Sequence, residues 1–229
     1  MNTGDGHELI TLAREAEVTG VAWRSLWRFY SLPDSLEGLT ILDVCAGMSD
    51  SVFRLRQAGA RAHGVDTCYA SLEAMFARHR KGFEVTARTV FNVEPDSVRG
   101  KELYRSFTEG FVAGLERGSS IAASATALPF GDGSFDLVLS FNGIFGTLDF
   151  APAVLRQALL EAVRVLRPGG SLQLLPYQQG TVLNDLERAN QLSAVKELAG
   201  LPSVAVHDEV ARSEPGLEGI RRLTVTKTR

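Results

Sequence analysis

The sequence reads Ile41-Leu42-Asp43-Val44-Cys45-Ala46-Gly47-Met48-Ser49 and, further along, Gly64-Val65-Asp66. The first short apolar run contains Asp43 near its end, and the second ends in Asp66. Residues 40–44 are rich in branched side chains and too few for a helix, so they predict a buried strand, and residues 61–65 predict a second one. Residues 50–58, between them, predict a helix. A strand, a helix and a strand joined by short links indicate a parallel pair with a right-handed crossover.

The residues that follow the two predicted strands are typical of a nucleoside pocket. Open parallel sheets bind such ligands beyond the carboxyl ends of their strands. Residues 45–49 are small, so a ligand can come close to the backbone there. Asp66, at the end of the second strand, can accept hydrogen bonds from both hydroxyl groups of a ribose.

The spacing of glycines indicates which nucleoside is expected. A dinucleotide site needs Gly-x-Gly-x-x-Gly, so that backbone amides reach a pyrophosphate. Here the equivalent positions are Cys45, Gly47 and Asp50, and the last is an acid that would face an anion. This argues against NAD and FAD. A cofactor without phosphate, such as S-adenosylmethionine, needs fewer glycines and tolerates acids near its sulfonium and amine.

Three blocks of the chain resemble class I S-adenosylmethionine-dependent methyltransferases. Residues 43–49 are similar to the family's first motif, usually Asp-x-Gly-x-Gly-x-Gly, and Asp66 matches its ribose-binding acid. Residues 125–140, which read ATALPFGDGSFDLVLS, resemble the segment around the family's fourth strand, and residues 164–172 resemble the turn into its fifth. The resemblance implies an α/β fold: a doubly wound, mostly parallel, seven-stranded Rossmann-like sheet with an antiparallel last strand.

The resemblance also implies a set of residues that bind S-adenosylmethionine and its product S-adenosylhomocysteine. They are Asp43, Cys45, Ala46, Gly47, Met48, Ser49, Asp66, Thr67, Ser124, Ala125, Ser140 and Phe141. Cys45 and Ser49 replace two of the family's usual glycines. Ser124 stands where many members carry an aspartate that contacts the adenine amino group. These departures predict reduced cofactor affinity, or a relative that keeps the pocket without methyl transfer.

Beyond this core, the sequence predicts two helical additions. Residues 1–38 are expected to form an N-terminal helical cap, and residues 39–229 the methyltransferase domain. Residues 82–118 are expected to form a helical lid inserted after the second strand, as in a bacterial subgroup that the chain resembles. The remaining predicted elements are helices at 71–80, 101–115, 151–166 and 186–198, and strands at 120–123, 135–140, 171–176, 203–207 and 220–226.

The chemistry is expected after the fourth strand. Methyl transfer is an in-line displacement, so alignment of the reactants can supply much of the rate. A base is needed only when the acceptor must first lose a proton. The candidate catalytic residues are Asn142 as an orienting amide, Tyr104 from the lid, and His207 as a base at the predicted end of the sixth strand. The candidate substrate contacts are Trp27, Tyr30, Tyr104, Arg105, Asn142, Phe145 and Tyr177.

Composition limits the classes of binding partner that are expected. The 229 residues carry a net charge of −3, which provides no electrostatic footprint for nucleic acid. Two cysteines and four histidines are too few for a zinc site, so no metal is expected. No apolar run is long enough to span a bilayer, and the N-terminus is polar and acidic, unlike a signal peptide. The expectation is a cytoplasmic enzyme that binds a small molecule, as a monomer or a homodimer, and neither nucleic acid nor membrane.

Three functions are compatible with these residues. The leading hypothesis is methyl transfer to an oxygen or nitrogen of a small molecule in specialised biosynthesis. The second is a peptide or protein methyltransferase, which requires a groove rather than a closed pocket. The third is a methyltransferase-like protein that uses the pocket for a non-methylating reaction or for binding only.

Overall fold

A computed structural model of the chain describes residues 27–89, 92–115, 119–146, 151–177, 184–211 and 220–229. Its strands are β1 (Thr40–Val44), β2 (Arg61–Asp66), β3 (Ser120–Ala122), β4 (Phe135–Phe141), β5 (Leu166–Leu175), β6 (Val204–Val210) and β7 (Arg221–Lys227). They form one seven-stranded sheet in the order β3-β2-β1-β4-β5-β7-β6. β7 pairs antiparallel with both β5 and β6, whereas β1 to β5 pair in parallel. The predicted fold, including its antiparallel last strand, is confirmed.

The helices are α1 (Ser51–Gln57), α2 (Leu72–Thr89), α3 (Val98–Leu115), α4 (Pro152–Val165) and α5 (Asp185–Ala199), and a 3-10 turn covers Thr67–Ala70. The sequence explains several helix starts. Pro152 occupies the first turn of α4, where its missing N–H costs nothing. Asn184 and Glu187 form a capping box at the start of α5. None of the helices in the described ranges has the length and apolar character needed to cross a membrane.

The sheet carries an apolar core on each face. Leu42 and Val44 contribute to the first core, which the sheet shares with α4 and α5. Ile41 contributes to a second core that includes residues between 29 and 36 and the buried side of α1. Because side chains alternate along a strand, Asp43 lies on the same face as Ile41. The candidate site is therefore built where the second core reaches the carboxyl edge of the sheet.

The described part of the predicted cap is anchored on this second core. Residues 27–29 are helical, and Phe29 is fully buried. The carbonyl oxygen of Phe29 accepts a 2.8 Å hydrogen bond from Arg222 of β7. Its ring stacks on Phe141 of β4, with 6.4 Å between ring centroids. Residues 1–26 of the predicted cap lie outside the described residues, and the division into a cap and a domain stays a prediction.

The helices α2 and α3 contact the loop that follows β1. Met48 from that loop, Met75 from α2 and Phe111 from α3 are each nearly fully buried and form one apolar cluster. α2 continues to Thr89 rather than ending near Arg80, and the Arg80–Glu84 ion pair at helical spacing supports the longer helix. Both helices thus pack beside the predicted cofactor loop.

The loop before β4 is held by one arginine of α4. Arg164 donates hydrogen bonds to the carbonyl oxygens of Leu128 at 3.0 Å and Phe130 at 2.8 Å, and to the carboxylate of Asp132 at 2.8 Å. Its neighbour Glu161 accepts the N–H of Leu128 at 2.8 Å. The hydrogen bond from Arg164 lowers the pKa of Glu161, so this carboxylate stays ionised. Arg164 and Glu161 therefore hold the loop before β4 in place.

Candidate active site

The ends of β1, β2 and β4 meet at one edge of the sheet. Asp43 is in register with Gly64 of β2 and with Leu139 of β4. β1 separates β2 and β3 on one side from β4 and β5 on the other, so the strand order reverses there. This is the point at which open α/β sheets bind their ligands. Asp66 ends β2, and Asn142 follows β4 directly.

The loop after β1 is shaped by two residues with positive φ. Cys45 has φ of 56° and Gly47 has φ of 51°. The N–H of Gly47 donates to Oδ2 of Asp66 at 3.0 Å, and its carbonyl oxygen accepts from the hydroxyl of Tyr69 at 2.6 Å. A Cβ on Gly47 would meet no atom within 4 Å. The loop is thus fixed in place while leaving open space above Gly47, which suits a ligand that lies on the backbone.

Asp66 orders the loops and keeps acceptor capacity. Its Oδ1 accepts the N–H of Cys68 at 2.9 Å, and its Oδ2 accepts the N–H of Gly47. An ionised carboxylate has about four lone-pair sites, so two bonds leave about two sites for other donors. The two hydroxyl groups of a ribose match that remaining capacity.

Asp43 is a buried acid next to a second acid. Only 5% of the residue is exposed, and the hydroxyl of Ser51 donates a short hydrogen bond to its Oδ2. Burial raises the pKa of Asp43 to about 7, the Ser51 hydrogen bond opposes the rise, and the charge of Asp66 adds to it. A cationic ligand group placed between these two carboxyls would be stabilised by both. The amine and sulfonium of S-adenosylmethionine fit this field.

Ser124 and Ser140 both use their hydroxyl groups within the protein. The Ser124 hydroxyl lies 2.8 Å from that of Thr126 and accepts the Thr126 N–H at 3.2 Å. The buried Ser140 hydroxyl donates to the carbonyl oxygen of Val44 at 3.0 Å and accepts the N–H of Ile144 at 2.9 Å. Ser140 therefore ties the end of β4 to the end of β1. Ala125, beside Ser124, is buried in the first core.

The other predicted cofactor residues surround the same loops. The N–H of Ala46 donates to Val65 at 3.1 Å, which joins the loop to β2. Ser49 accepts the N–H of Ser51 at 3.1 Å and so shapes the start of α1. Thr67 is exposed at the start of the 3-10 turn. Met48 packs under α2 and α3, and Phe141 stacks on Phe29.

The turn after β4 lies against Cys45. Asn142 has φ of 53°, and its N–H donates to the carbonyl oxygen of Leu175 at 2.6 Å. A Cβ on Gly143 would lie 2.5 Å from Oγ of Ser140 and 2.7 Å from Cβ of Cys45. Only glycine fits at this contact. Asn142 is thereby held at the strand ends, close to the loop after β1.

Among the predicted substrate contacts, two belong to the second core. Tyr30 is 3% exposed, and burial together with the charge of Asp43 raises its pKa well above the ordinary value. Trp27 is half-buried against the same core. Phe145 and Tyr177 instead lie in the first core, with their ring centroids 5.6 Å apart. Tyr30 is thus the aromatic residue that the structure brings near Asp43.

The structure moves Tyr104 away from the strand ends. Its ring packs between α2 and α3, 5.0 Å from the Phe83 ring and 5.6 Å from the His79 ring, with the Arg80 guanidinium 5.0 Å above it. Arg105 is exposed on α3. His79 is 2% exposed, and burial lowers its pKa to about 4.

His207 also falls outside the site, which corrects the expectation of a base at the end of a strand. β6 continues to Val210, so His207 lies in the middle of the strand, opposite Thr224. Its side chain is 73% exposed and lies 3.7 Å from Glu209. β5 and β7 separate β6 from β4.

Two residues of the site were not predicted. Ser51 is bonded to Asp43, and Tyr69 is bonded to Gly47. Their roles depend on how the loops fold over one another. The only sequence signal was an aromatic residue, Tyr69, among small residues shortly after Asp66.

Comparison with known proteins supports this geometry. Residues 42–174 match the family model described as a methyltransferase domain. The human mitochondrial 2-methoxy-6-polyprenyl-1,4-benzoquinol methylase is 29% identical over 173 residues, which cover 69% of this chain and 48% of that protein. The ubiquinone/menaquinone biosynthesis C-methyltransferase UbiE of Brucella abortus (strain S19) is 28% identical over 157 residues, covering 69% of this chain and 46% of that protein. The chain thus spans about half the length of the curated relatives that it matches.

A solved structure shows the same fold. A protein of Pyrococcus horikoshii OT3 superposes with a TM-score of 0.54 at 17% identity, covering 95% of this chain and 96% of that one. The family model covers more than half of the chain, and residues 42–174 include the ends of β1, β2 and β4 described above. The chain therefore belongs to the class I methyltransferase-domain family, whose cofactor is S-adenosylmethionine.

Proposed function

We propose that this protein transfers the methyl group of S-adenosylmethionine to a small molecule bound beyond the ends of β1 and β4. One observation carries the proposal: Asp43, one residue before the end of β1, and Asp66, the last residue of β2, lie on neighbouring strands, and the Gly47 N–H donates to Asp66. Asp66 can accept hydrogen bonds from a diol, Asp43 and Asp66 together favour a cation, and the space above Gly47 is open to a ligand.

The residues present can divide the binding of the cofactor between them. Asp66 would hold the ribose hydroxyls with its free lone pairs, and Asp43 would face the cationic end. The loop at Ser124 and Ala125 would support the adenine. When bound, the cofactor supplies an electrophilic methyl group on a sulfonium. The chain's own contribution is then to orient the acceptor, for which Asn142 offers an amide at the strand ends.

The acceptor class that we propose is a hydroxylated aromatic ring, methylated at carbon. The names of the two relatives above, a benzoquinol methylase and a C-methyltransferase, support a carbon acceptor. The oxygen or nitrogen acceptor expected from the sequence is the alternative. All three acceptor atoms are compatible with the same cofactor pocket, so the product must be identified directly.

The test is methyl transfer from S-adenosylmethionine carrying a ¹³C-labelled methyl group to a panel of hydroxylated aromatic compounds that includes benzoquinols. We expect one labelled product with an equal amount of S-adenosylhomocysteine, and the chemical shift of the labelled carbon identifies the accepting atom. Asp66→Ala is the control and should abolish the product, because it removes the proposed ribose acceptor. Transfer only to a peptide panel would support the second function. Binding without transfer to any acceptor would support the non-methylating alternative.

A further inference from the structure

We infer that Gln191 of α5 binds a hydroxyl group of the acceptor ring through its side-chain amide oxygen, next to the aromatic pair formed by Phe145 and Tyr177. The inference rests on the proposed function and deepens it, because it assigns the acceptor to the β4–β5 side of the site and selects a neutral hydrogen-bond donor. The sequence predicted Phe145 and Tyr177 as substrate contacts, whereas Gln191 was not among the predicted residues.

The amide of Gln191 is fully buried, and only its donor half has a partner. The Nε2 atom donates a 3.2 Å hydrogen bond to the carbonyl oxygen of Phe145. This bond fixes the orientation of the amide, because the opposite orientation would place two oxygen acceptors against each other. The Oε1 atom has no hydrogen-bond partner among the residues that the structure describes. Buried polar atoms are nearly always paired, so this oxygen calls for a donor that arrives with a ligand.

Gln191 contacts the carboxyl edge of β4 and β5, where the acceptor is proposed to bind. Phe145, whose carbonyl oxygen it holds, lies in the turn after β4 that begins with Asn142. Tyr177 lies just beyond Leu175, the last residue of β5, and the carbonyl oxygen of Leu175 accepts the N–H of Asn142. Gln191 and the aromatic pair are therefore near Asn142, on the opposite side of β1 from β2, whose end is proposed to bind the ribose.

The aromatic pair is positioned by hydrogen bonds of its backbone. Ile144, the residue before Phe145, donates its N–H to the buried hydroxyl of Ser140 at 2.9 Å. The N–H of Tyr177 donates to the carbonyl oxygen of Arg221 at 2.9 Å. The two rings have centroids 5.6 Å apart and planes inclined by 35°. Aromatic rings favour contact with a further ring in an offset or edge arrangement, so the pair offers an apolar wall to an aromatic acceptor.

The acceptor reaches Oε1 of Gln191 through a change of side-chain rotamer. Gln191 is fully buried, and Phe145 and Tyr177 are each 3% exposed, so the hydroxyl group enters when one of these two rings turns. Rotamer changes are common on binding, whereas the backbone of a binding surface moves little. The Phe145 carbonyl oxygen stays bonded to Nε2 of Gln191, so the amide oxygen keeps its position.

The surroundings of Gln191 favour a neutral donor. An ammonium group would lose its hydration on burial and would require a carboxylate partner at the same place. The charged residues in the first turn of α5 have partners at the helix surface: Glu187 accepts the N–H of Asn184 at 3.0 Å, and Arg188 pairs with Asp185. A phenol hydroxyl carries no charge to compensate, and its ring packs against the aromatic pair.

The test is an NMR titration cycle with two ligands and two proteins, each protein saturated with S-adenosylhomocysteine. Wild type and Gln191→Met are titrated with 1,4-dihydroxybenzene and with 1,4-dimethylbenzene, in which methyl groups of similar size replace the hydroxyl groups. We expect Gln191→Met to lose about three- to tenfold in affinity for the dihydroxy ligand, the net effect of one hydrogen bond. Its affinity for the dimethyl ligand should change by less than about twofold, because that ligand donates no hydrogen bond.

Two further measurements control for effects on the fold. Gln173→Met is the matched variant and should change neither affinity. Gln173 also has a buried Oε1 without a partner among the described residues, but it is in register with Leu139 on the face of the second core. In wild type, the side-chain amide signals of Gln191 should shift with the dihydroxy ligand and not with the dimethyl ligand. Thermal unfolding of Gln191→Met checks that the variant is folded.

Equal losses for both ligands would show that Gln191 only supports the turn after β4, and would overturn the inference. No loss for either ligand, or no binding of the dihydroxy ligand to wild type, would overturn it as well. Failure of wild type to bind S-adenosylhomocysteine would instead contradict the proposed function, so the two failures are distinguishable.

Discussion

The hydroxyl of Tyr69 donates a 2.6 Å hydrogen bond to the carbonyl oxygen of Gly47. The same peptide region is held from the other side, where the Gly47 N–H donates to Asp66. The Tyr69 ring also lies 5.7 Å from the ring of Phe111 on α3. Tyr69 therefore connects α3 to the loop that we propose carries the cofactor.

Removing this one hydroxyl should loosen the cofactor loop without unfolding the protein. Tyr69→Phe keeps the ring contact with Phe111 and loses the hydrogen bonds of the hydroxyl to Gly47 and Ser120. We expect affinity for S-adenosylhomocysteine, measured by calorimetry, to fall about three- to tenfold, the effect of one hydrogen bond. Tyr104→Phe should leave the affinity unchanged. Identical affinity of Tyr69→Phe and wild type would show that the bond does not position the loop.

The burial of Asp43 predicts a pH-dependent stability. Its pKa is about 7 when folded and near 3.8 when unfolded, so between these values the folded protein binds more protons. The free energy of unfolding should therefore fall as pH rises through this window, by up to about 4 kcal/mol from this group. Asp43→Asn removes the effect. Denaturant unfolding should show the variant gaining on wild type between about pH 4 and about pH 7; a constant difference would contradict the raised pKa.

Two substitutions toward the family's usual glycines should have opposite effects. Cys45 adopts φ of 56°, so Cys45→Gly should relieve about 1 kcal/mol of backbone strain and keep or raise cofactor affinity. Ser49 accepts the N–H of Ser51 at the start of α1, so Ser49→Gly should cost about 0.5–1.5 kcal/mol, the net contribution of one hydrogen bond. Thermal unfolding and calorimetry of both variants test this. A stabilised Ser49→Gly variant would mean that the hydroxyl is dispensable.

The contact between the loops after β1 and β4 should not tolerate a methyl group. A Cβ at Gly143 would lie within 2.8 Å of Ser140, Cys45 and the carbonyl oxygen of Val44. Gly143→Ala should lower stability by about 1–3 kcal/mol, as overpacking does, and weaken cofactor binding through the displaced loop. At Gly131 the nearest atom would be 3.7 Å away, so Gly131→Ala is the matched control. Equal melting temperatures for the two variants would argue against tight packing at Gly143.

Local sequence patterns were sufficient to predict much of the fold. Asp43 and Asp66 were located by short apolar runs with adjacent aspartates, because buried parallel strands and the turns after them have a strong local signature. The end of β6 was not predicted correctly from its residues. Asp208 and Glu209 read as a polar stop, yet they continue an edge strand by pairing with Arg221 and Arg222 of β7. An edge strand tolerates charge that would end a buried one.

The missed features of the site depend on contacts between distant segments. Ser51 binds Asp43 only once α1 folds back on β1, and Tyr69 binds Gly47 only once the turn after β2 folds against the loop after β1. Tyr104 was expected in a lid over the pocket, but its ring completes the interface between α2 and α3 instead. Helical spacing alone could not show whether Tyr104 faces the pocket or the interface between α2 and α3.

The central claim is that Asp43, Gly47 and Asp66 form a working cofactor pocket. The most direct measurement is calorimetric titration of the purified protein with S-adenosylmethionine and S-adenosylhomocysteine, beside Asp66→Ala as the pocket control. We predict micromolar binding of both ligands to wild type and its loss in the variant. Absence of binding of either ligand to the folded wild-type protein would contradict the claim.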